Sequence, residues 1–159
     1  MTLFVDTGAI IALLDRDDPA HKAVRDAFAK ASTEALVTHA YVVVETLAVV
    51  RRRFGAVAAA EVIDRILPAL DVVPVDGELH AVAVGAFRDG IETSVSLVDR
   101  TSFALMRRAG ITRAIALDAN FRTAGFQTLP QQPALPQQPA SPYQPASPYQ
   151  PASPQPGRE

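Results

Sequence analysis

The chain has 159 residues, no cysteine, three histidines and a formal net charge of −2. It has no means of building a disulfide framework or a zinc–thiolate site, and its mild acidity excludes general polyanion binding by bulk charge. A nucleic-acid substrate would have to be met through a local basic patch or through metal ions. The opening stretch, MTLFVDTGAI, carries no basic segment and reaches an aspartate at position 6, so no secretory signal is read there. No apolar run approaches the length of a bilayer span, and a soluble, cytoplasmic protein without membrane contact is the expectation.

In chain order, Leu3, Phe4 and Val5 form an apolar run read as a buried strand. Asp6 or Thr7 caps a helix through about Leu14, broken by DRDDP at 15–19, and Pro19 opens a second helix. ALVT at 35–38 is a strand. A helix over 40–54 ends in RRRF and Gly55, cations and a glycine where a helix C-terminus favours them. A further helix is expected from about 57 to 67, before Pro68, and a strand at 71–75. Helices follow at about 77–88 and 97–109, then strands at 114–117 and 126–129. Short, wholly apolar strands separated by helices predict a parallel sheet covered on both faces, a three-layer α/β/α domain over residues 1–129.

From Pro130 to Glu159 the composition changes. Only Pro19, Pro68 and Pro74 precede this segment, so ten of the 13 prolines lie within it, and QPASPY recurs from Gln138 and Gln144. A polar, proline-rich repeat with little to bury is expected to be disordered or polyproline-like.

Chemistry in such a sheet gathers at the carboxyl ends of its strands, where two of four candidate acids stand and beside which a third opens a helix. Asp6 follows LFV, Asp118 follows AIAL, and Asp99 opens the helix that follows SVSL. Glu45 interrupts the apolar stretch YVVVETLAVV, on a helix face shared with Tyr41, Val42, Ala48 and Val49. A carboxylate there needs solvent or a cation. Taken singly, Asp6, Asp99 and Asp118 also suit helix caps and turns. Brought together, four carboxylates would repel one another without a counter-charge, and the chain's lysines, Lys22 and Lys30, both lie on the second helix. An all-oxygen donor set favours Mg²⁺ or Mn²⁺ over zinc.

These stretches carry a resemblance. DTGAIIALLDRDDPAH, VVVETLAVVRRRFG, SLVDRTSFALMRRAGI and ALDANFRTAGFQTLP, in that order, resemble the PIN domain of VapC-type toxins over residues 2–129. The resemblance implies a Mg²⁺- or Mn²⁺-dependent endoribonuclease, the toxin of a toxin–antitoxin pair, with RNA as substrate, a cognate antitoxin as partner and a homodimeric state. It assigns Asp6, Glu45, Asp99 and Asp118 to the acidic quartet, with Asp6 and Asp99 as the direct metal ligands. Asn120 stands where relatives often carry a second acid. Thr7, Ser96 and Asn120 are candidates for holding a carboxylate or touching substrate. The reaction implied is in-line hydrolysis by metal-activated water, leaving 5′-phosphate and 3′-hydroxyl ends.

Two other readings stand beside it. A PIN-like module that binds RNA or protein without cleaving fits the same layout, as does a nuclease with an RNA-processing task. A haloacid-dehalogenase-type phosphotransferase is disfavoured, because Gly8 occupies the place of its second acid and no lysine follows Lys30. His21 is read as structural. Arg107, Arg108 and Arg122 are candidates for the RNA backbone, more so than Arg51, Arg52 and Arg53. Tyr41, Phe54, Phe103, Phe121 and Phe126 are assigned to the core. Arg100 is left open between pointing away from the acids and contacting phosphate. The alanine-rich helix 56–67 is the expected source of dimer surface.

Overall fold

The computed structural model describes residues 1–131. The expectation for the repeat tail therefore falls largely outside the described residues. Five strands, β1 (Thr2–Val5), β2 (Ala35–His39), β3 (Asp71–Val73), β4 (Arg113–Ile115) and β5 (Gln127–Leu129), form one sheet in the order β3-β2-β1-β4-β5. Every pairing is parallel. The helices are α1 (Thr7–Leu14), α2 (His21–Lys30), α3 (Ala40–Glu61), α4 (Gly77–Asp89), α5 (Leu97–Arg108) and α6 (Ala119–Thr123).

The core explains the sheet. Leu3, Phe4 and Val5 are fully buried, although successive side chains of a strand point to opposite faces. Both faces of β1 are therefore covered, as the α/β/α reading requires. Each of these side chains contributes about 1.5–3 kcal/mol through burial. The chain winds from β1 through β2 to β3, then returns to place β4 on the other side of β1. Strand order thus reverses between β1 and β4, and a crevice opens at the carboxyl ends of those two strands.

Several boundaries differ from the sequence reading. Pro19 lies in the turn before α2, which begins at His21, because the Asp18 carboxylate accepts the Ala20 N–H at 2.7 Å and closes a turn there. The helix expected to end at Gly55 does break there, at φ 87 and ψ −173, a conformation that glycine alone adopts with ease. Helical structure then resumes at once, passing into a π-helical turn over Val62–Ile66 and a 3-10 turn over Leu67–Ala69. The strand expected over 71–75 stops at Val73, ahead of Pro74, which has no N–H to give a ladder. Phe54 is a correction to the core assignment: it is 36% exposed, with the Arg53 guanidinium 5.0 Å from its ring centroid. Phe103 and Phe121 are buried as expected, and their rings meet edge-on at 5.0 Å. His21 is structural, its Nδ1–H donating to the Ala12 carbonyl at 2.9 Å and tying α2 to α1.

Candidate active site

The crevice between β1 and β4 is an open cleft of about 540 Å³. Its lining includes Asp6, Glu45, Asp99 and Asp118, together with Thr7 and Ser96. Four carboxylates from four separated segments therefore share one cavity.

Each acid owes its place to a local device. The Asp6 N–H continues the β1–β4 ladder by donating to the Ile115 carbonyl at 3.1 Å, and the Asp6 carboxylate caps α1 by accepting the Gly8 N–H at 3.2 Å. Asp118 caps α6 in the same way, accepting the Asn120 N–H at 2.8 Å. Asp99 is held by a reciprocal capping box: Ser96 Oγ accepts the Asp99 N–H at 3.0 Å, and Asp99 accepts the Ser96 N–H at 2.9 Å. Glu45, mid-helix and without a cap to make, accepts the Thr7 hydroxyl at 2.5 Å. The caps expected of Asp6, Asp99 and Asp118 are thus real, and the same residues line the cleft. Capping and chemistry are not rivals here, because each cap occupies one carboxylate oxygen.

The electrostatics are one-sided. Among the described residues, none of the salt bridges involves any of the four acids. Burial, with the nearby charges of Asp99 and Glu45, pushes the Asp6 carboxyl up to about 7, against the opposing pull of the Gly8 and Thr7 N–H groups. The Asp99 carboxyl is also raised, first by burial and then by Asp118, while Ser96 and the Asn120 amide pull it down. A buried carboxyl on the edge of protonation at neutral pH is a group short of a cation.

His39 fixes the frame around these acids. It is fully buried at the end of β2 and caps α3 by accepting the Val42 N–H on Nδ1 at 3.3 Å, so the proton sits on Nε2. Nε2–H donates to Ser102 Oγ at 2.9 Å, and Ser102 donates to the Val98 carbonyl at 2.9 Å. Burial pushes the imidazole down to about 4, so it is neutral and links the helix of Glu45 to that of Asp99.

A model of the PIN domain matches residues 3–127. The chain belongs to the PIN-domain family. Over 127 residues it is 35% identical to the 23S rRNA-specific endonuclease VapC20 of Mycobacterium tuberculosis, with 78% of this chain and 95% of the relative covered. The crystal structure of VapC20 from that organism, described as a sarcin–ricin loop cleaving toxin, matches with a TM-score of 0.70 at 33% identity, covering 78% of this chain and 95% of the other. FitAcB from Neisseria gonorrhoeae matches at 16% identity with a TM-score of 0.62, covering 81% of this chain and 96% of its own, and shares the fold alone.

The donor set of this PIN domain suits a hard divalent cation. It is all oxygen, it has no lysine or arginine partner, and its most buried member is strained toward neutrality. Among the described residues, no three His, Asp or Glu side chains stand close enough to form a ready-made ligand cage, so the acids share a cleft rather than a finished cage. The Asn120 side chain lies near enough to Asp99 to favour its charged form. Ser94, which also lines the cleft, is missing from the residues singled out in the sequence. Its signal was its place in ETSVSLVD, two residues before Ser96. The open question of Arg100 is settled: its Nη2 donates to Thr93 Oγ1 at 3.2 Å, over the end of α4, while its neighbour Asp99 lines the cleft.

Proposed function

We propose that this PIN domain is a divalent-metal-dependent endoribonuclease of the VapC kind, the toxin of a toxin–antitoxin pair. The observation that carries the proposal is the cleft itself, lined by four carboxylates from the ends of β1 and β4 and from α3 and α5, none of them in a salt bridge. The kinship with a 23S rRNA-specific endonuclease supports RNA as the substrate class.

Asp6 and Asp99 would hold a Mg²⁺ or Mn²⁺ ion directly, with Glu45 and Asp118 completing the set. Such an ion supplies Lewis acidity at a phosphodiester and lowers the pKa of water. The chain's own residues do the placing. Thr7 orients Glu45, the Ser96 capping box fixes the rotamer of Asp99, and the Gly8 and Asn120 N–H groups hold Asp6 and Asp118. The hydroxyls of Ser94 and Ser96 give the cleft neutral hydrogen-bonding groups for a phosphate or ribose. The protein's contribution is preorganised charge, not a nucleophile of its own.

A cognate antitoxin and a second copy of the chain are the proposed partners. Beyond the Gly55 break, Val57 is 83% exposed and Ile63 is 50% exposed, more apolar surface than a covered helix presents.

The test begins with calorimetric titration of Mn²⁺ into the wild type and Asp6→Asn, followed by cleavage of a 23S rRNA fragment carrying the sarcin–ricin loop. Saturable binding that Asp6→Asn abolishes, with metal-dependent cleavage of RNA, is the expected result. Full cleavage by Asp6→Asn, or cleavage unaffected by chelator, would sink the proposal.

A further inference from the structure

Asp99 and Arg100 are adjacent on α5 but serve different ends of the same loop. Successive residues on a helix point about 100° apart, and while Asp99 lines the cleft, Arg100 reaches back over Gly90, the C-cap of α4. Arg100 Nη2 donates to Thr93 Oγ1 at 3.2 Å, and the Thr93 hydroxyl and N–H both donate to the Gly90 carbonyl, at 2.7 and 2.9 Å. A guanidinium at a helix C-terminus meets the negative end of its dipole.

Gly90 shows that the place is made for Arg100. Its backbone, at φ −112 and ψ 29, lies on the negative-φ side that other residues adopt, so no left-handed turn demands a glycine. Space demands it. A Cβ at Gly90 would collide with Arg100 Nη2 and stand 3.1 Å from Arg100 Cζ. The Arg100 Nε is buried without a hydrogen-bond partner, so the side chain is held there by packing and by the Nη2 bond to Thr93, not by a complete set of bonds.

The segment so held, from Gly90 to Ser96, carries Ser94 and Ser96 into the cleft wall. We propose that Arg100 is a positioning residue that clamps the α4–α5 loop through Gly90 and Thr93, and so fixes the serine wall of the acidic cleft. The inference rests on the reading of that cleft as the nuclease site. It assigns Gly90 a role through Arg100: any side chain there displaces the guanidinium, whose flexible end moves before the backbone does.

The test is a double-mutant cycle of Gly90→Ala, Arg100→Ala and their combination, with Arg100→Lys beside them. Amide hydrogen exchange over 91–95 is read without substrate, and kcat and KM are read on the sarcin–ricin loop fragment. Each single variant is expected to speed exchange of the loop about tenfold, as local opening becomes easier. Each should lower kcat about tenfold with KM little changed, as misplacement of a site does. The double variant should be no worse than either single, since both remove one contact. Arg100→Lys keeps the charge but not the fork and should recover part of the loss. Unchanged exchange in Gly90→Ala, or additive losses in the double variant, would overturn the clamp. If Asp6→Asn cleaves at the wild-type rate, the nuclease reading of the cleft fails instead, while the exchange arm still decides whether the clamp exists.

Discussion

Thr7 and Glu45 stand 38 residues apart in the chain, and the Thr7 hydroxyl donates to the Glu45 carboxylate at 2.5 Å. One is the first residue of α1 and the other lies in the second turn of α3. A hydrogen bond to a charged group contributes about 1.5–3 kcal/mol, and each 1.4 kcal/mol is about a factor of ten in rate if the bond matters in the transition state. Thr7→Val is therefore expected to lower RNA cleavage by about ten- to a hundredfold while keeping the fold. Thr7→Ser should stay near wild type. Equal activity in all three would remove Glu45 orientation from the mechanism.

Asp6 should limit the stability of the metal-free protein. It is 6% exposed, near two other acids and without a cation. Asp6→Asn is expected to raise the stability of the metal-free form by about 1–3 kcal/mol, the range of an unfavourably buried charge partly relieved by its N–H bonds. Adding Mn²⁺ should raise the melting temperature of the wild type and leave the variant unmoved. Differential scanning calorimetry with and without metal measures both. A less stable variant would mean that the N–H bonds to Asp6 outweigh its desolvation.

His39 predicts an acid limb. Its folded pKa is depressed to about 4 from 6.5, so the unfolded chain binds the extra proton between those values. Stability from this residue is complete above pH 6.5 and falls as pH drops toward 4, by about 3 kcal/mol in all. His39→Asn keeps an acceptor for the Val42 N–H but cannot titrate. Urea midpoints measured from pH 4 to 7 should show a steeper acid loss in the wild type than in His39→Asn, and parallel curves would contradict the buried neutral imidazole.

At the amino end of the sheet, Arg113 at the start of β4 donates from Nη1 to both carboxylate oxygens of Glu34, at 2.9 and 3.2 Å. Both side chains are largely covered, at 25% and 16% exposure. Arg113→Ala is expected to cost about 1–3 kcal/mol, more than an exposed pair would, with catalysis per folded molecule unchanged. Chemical denaturation and single-turnover cleavage separate the two effects.

Dimerisation is expected to use the surface beyond Gly55. Val57→Glu should shift the sedimentation coefficient to that of a monomer at micromolar concentration. A wild-type monomer under those conditions would refute the assignment.

Much of the candidate site was legible because its residues obey local rules. Asp6 and Asp118 each follow an apolar run, and Asp99 sits three residues after Ser96, a capping spacing. Glu45 was legible through conflict, a charge on an apolar helix face. The strand order was not, since strands of three to five residues carry no mark of their neighbours. Helix α6 was missed because five residues, ANFRT, are too few to show a helical period. The direction of Arg100 was hidden for another reason: it depends on an absent Cβ ten residues earlier, and a sequence does not display empty space.

The five strands all run the same way, so one rim of the sheet receives the chain and the other releases it. Leu129 bonds beside Ala116, and Pro130 leaves the sheet on the releasing rim, the rim that bears Asp6 and Asp118. Met1 lies across the sheet, a strand length of about 13 Å away. A fluorophore at Gln131 would therefore sit on the rim of the acids, beside Ala23 and Lys30 of α2, and is expected to respond to RNA bound on that rim. The same label ahead of Met1 would watch from the quiet side.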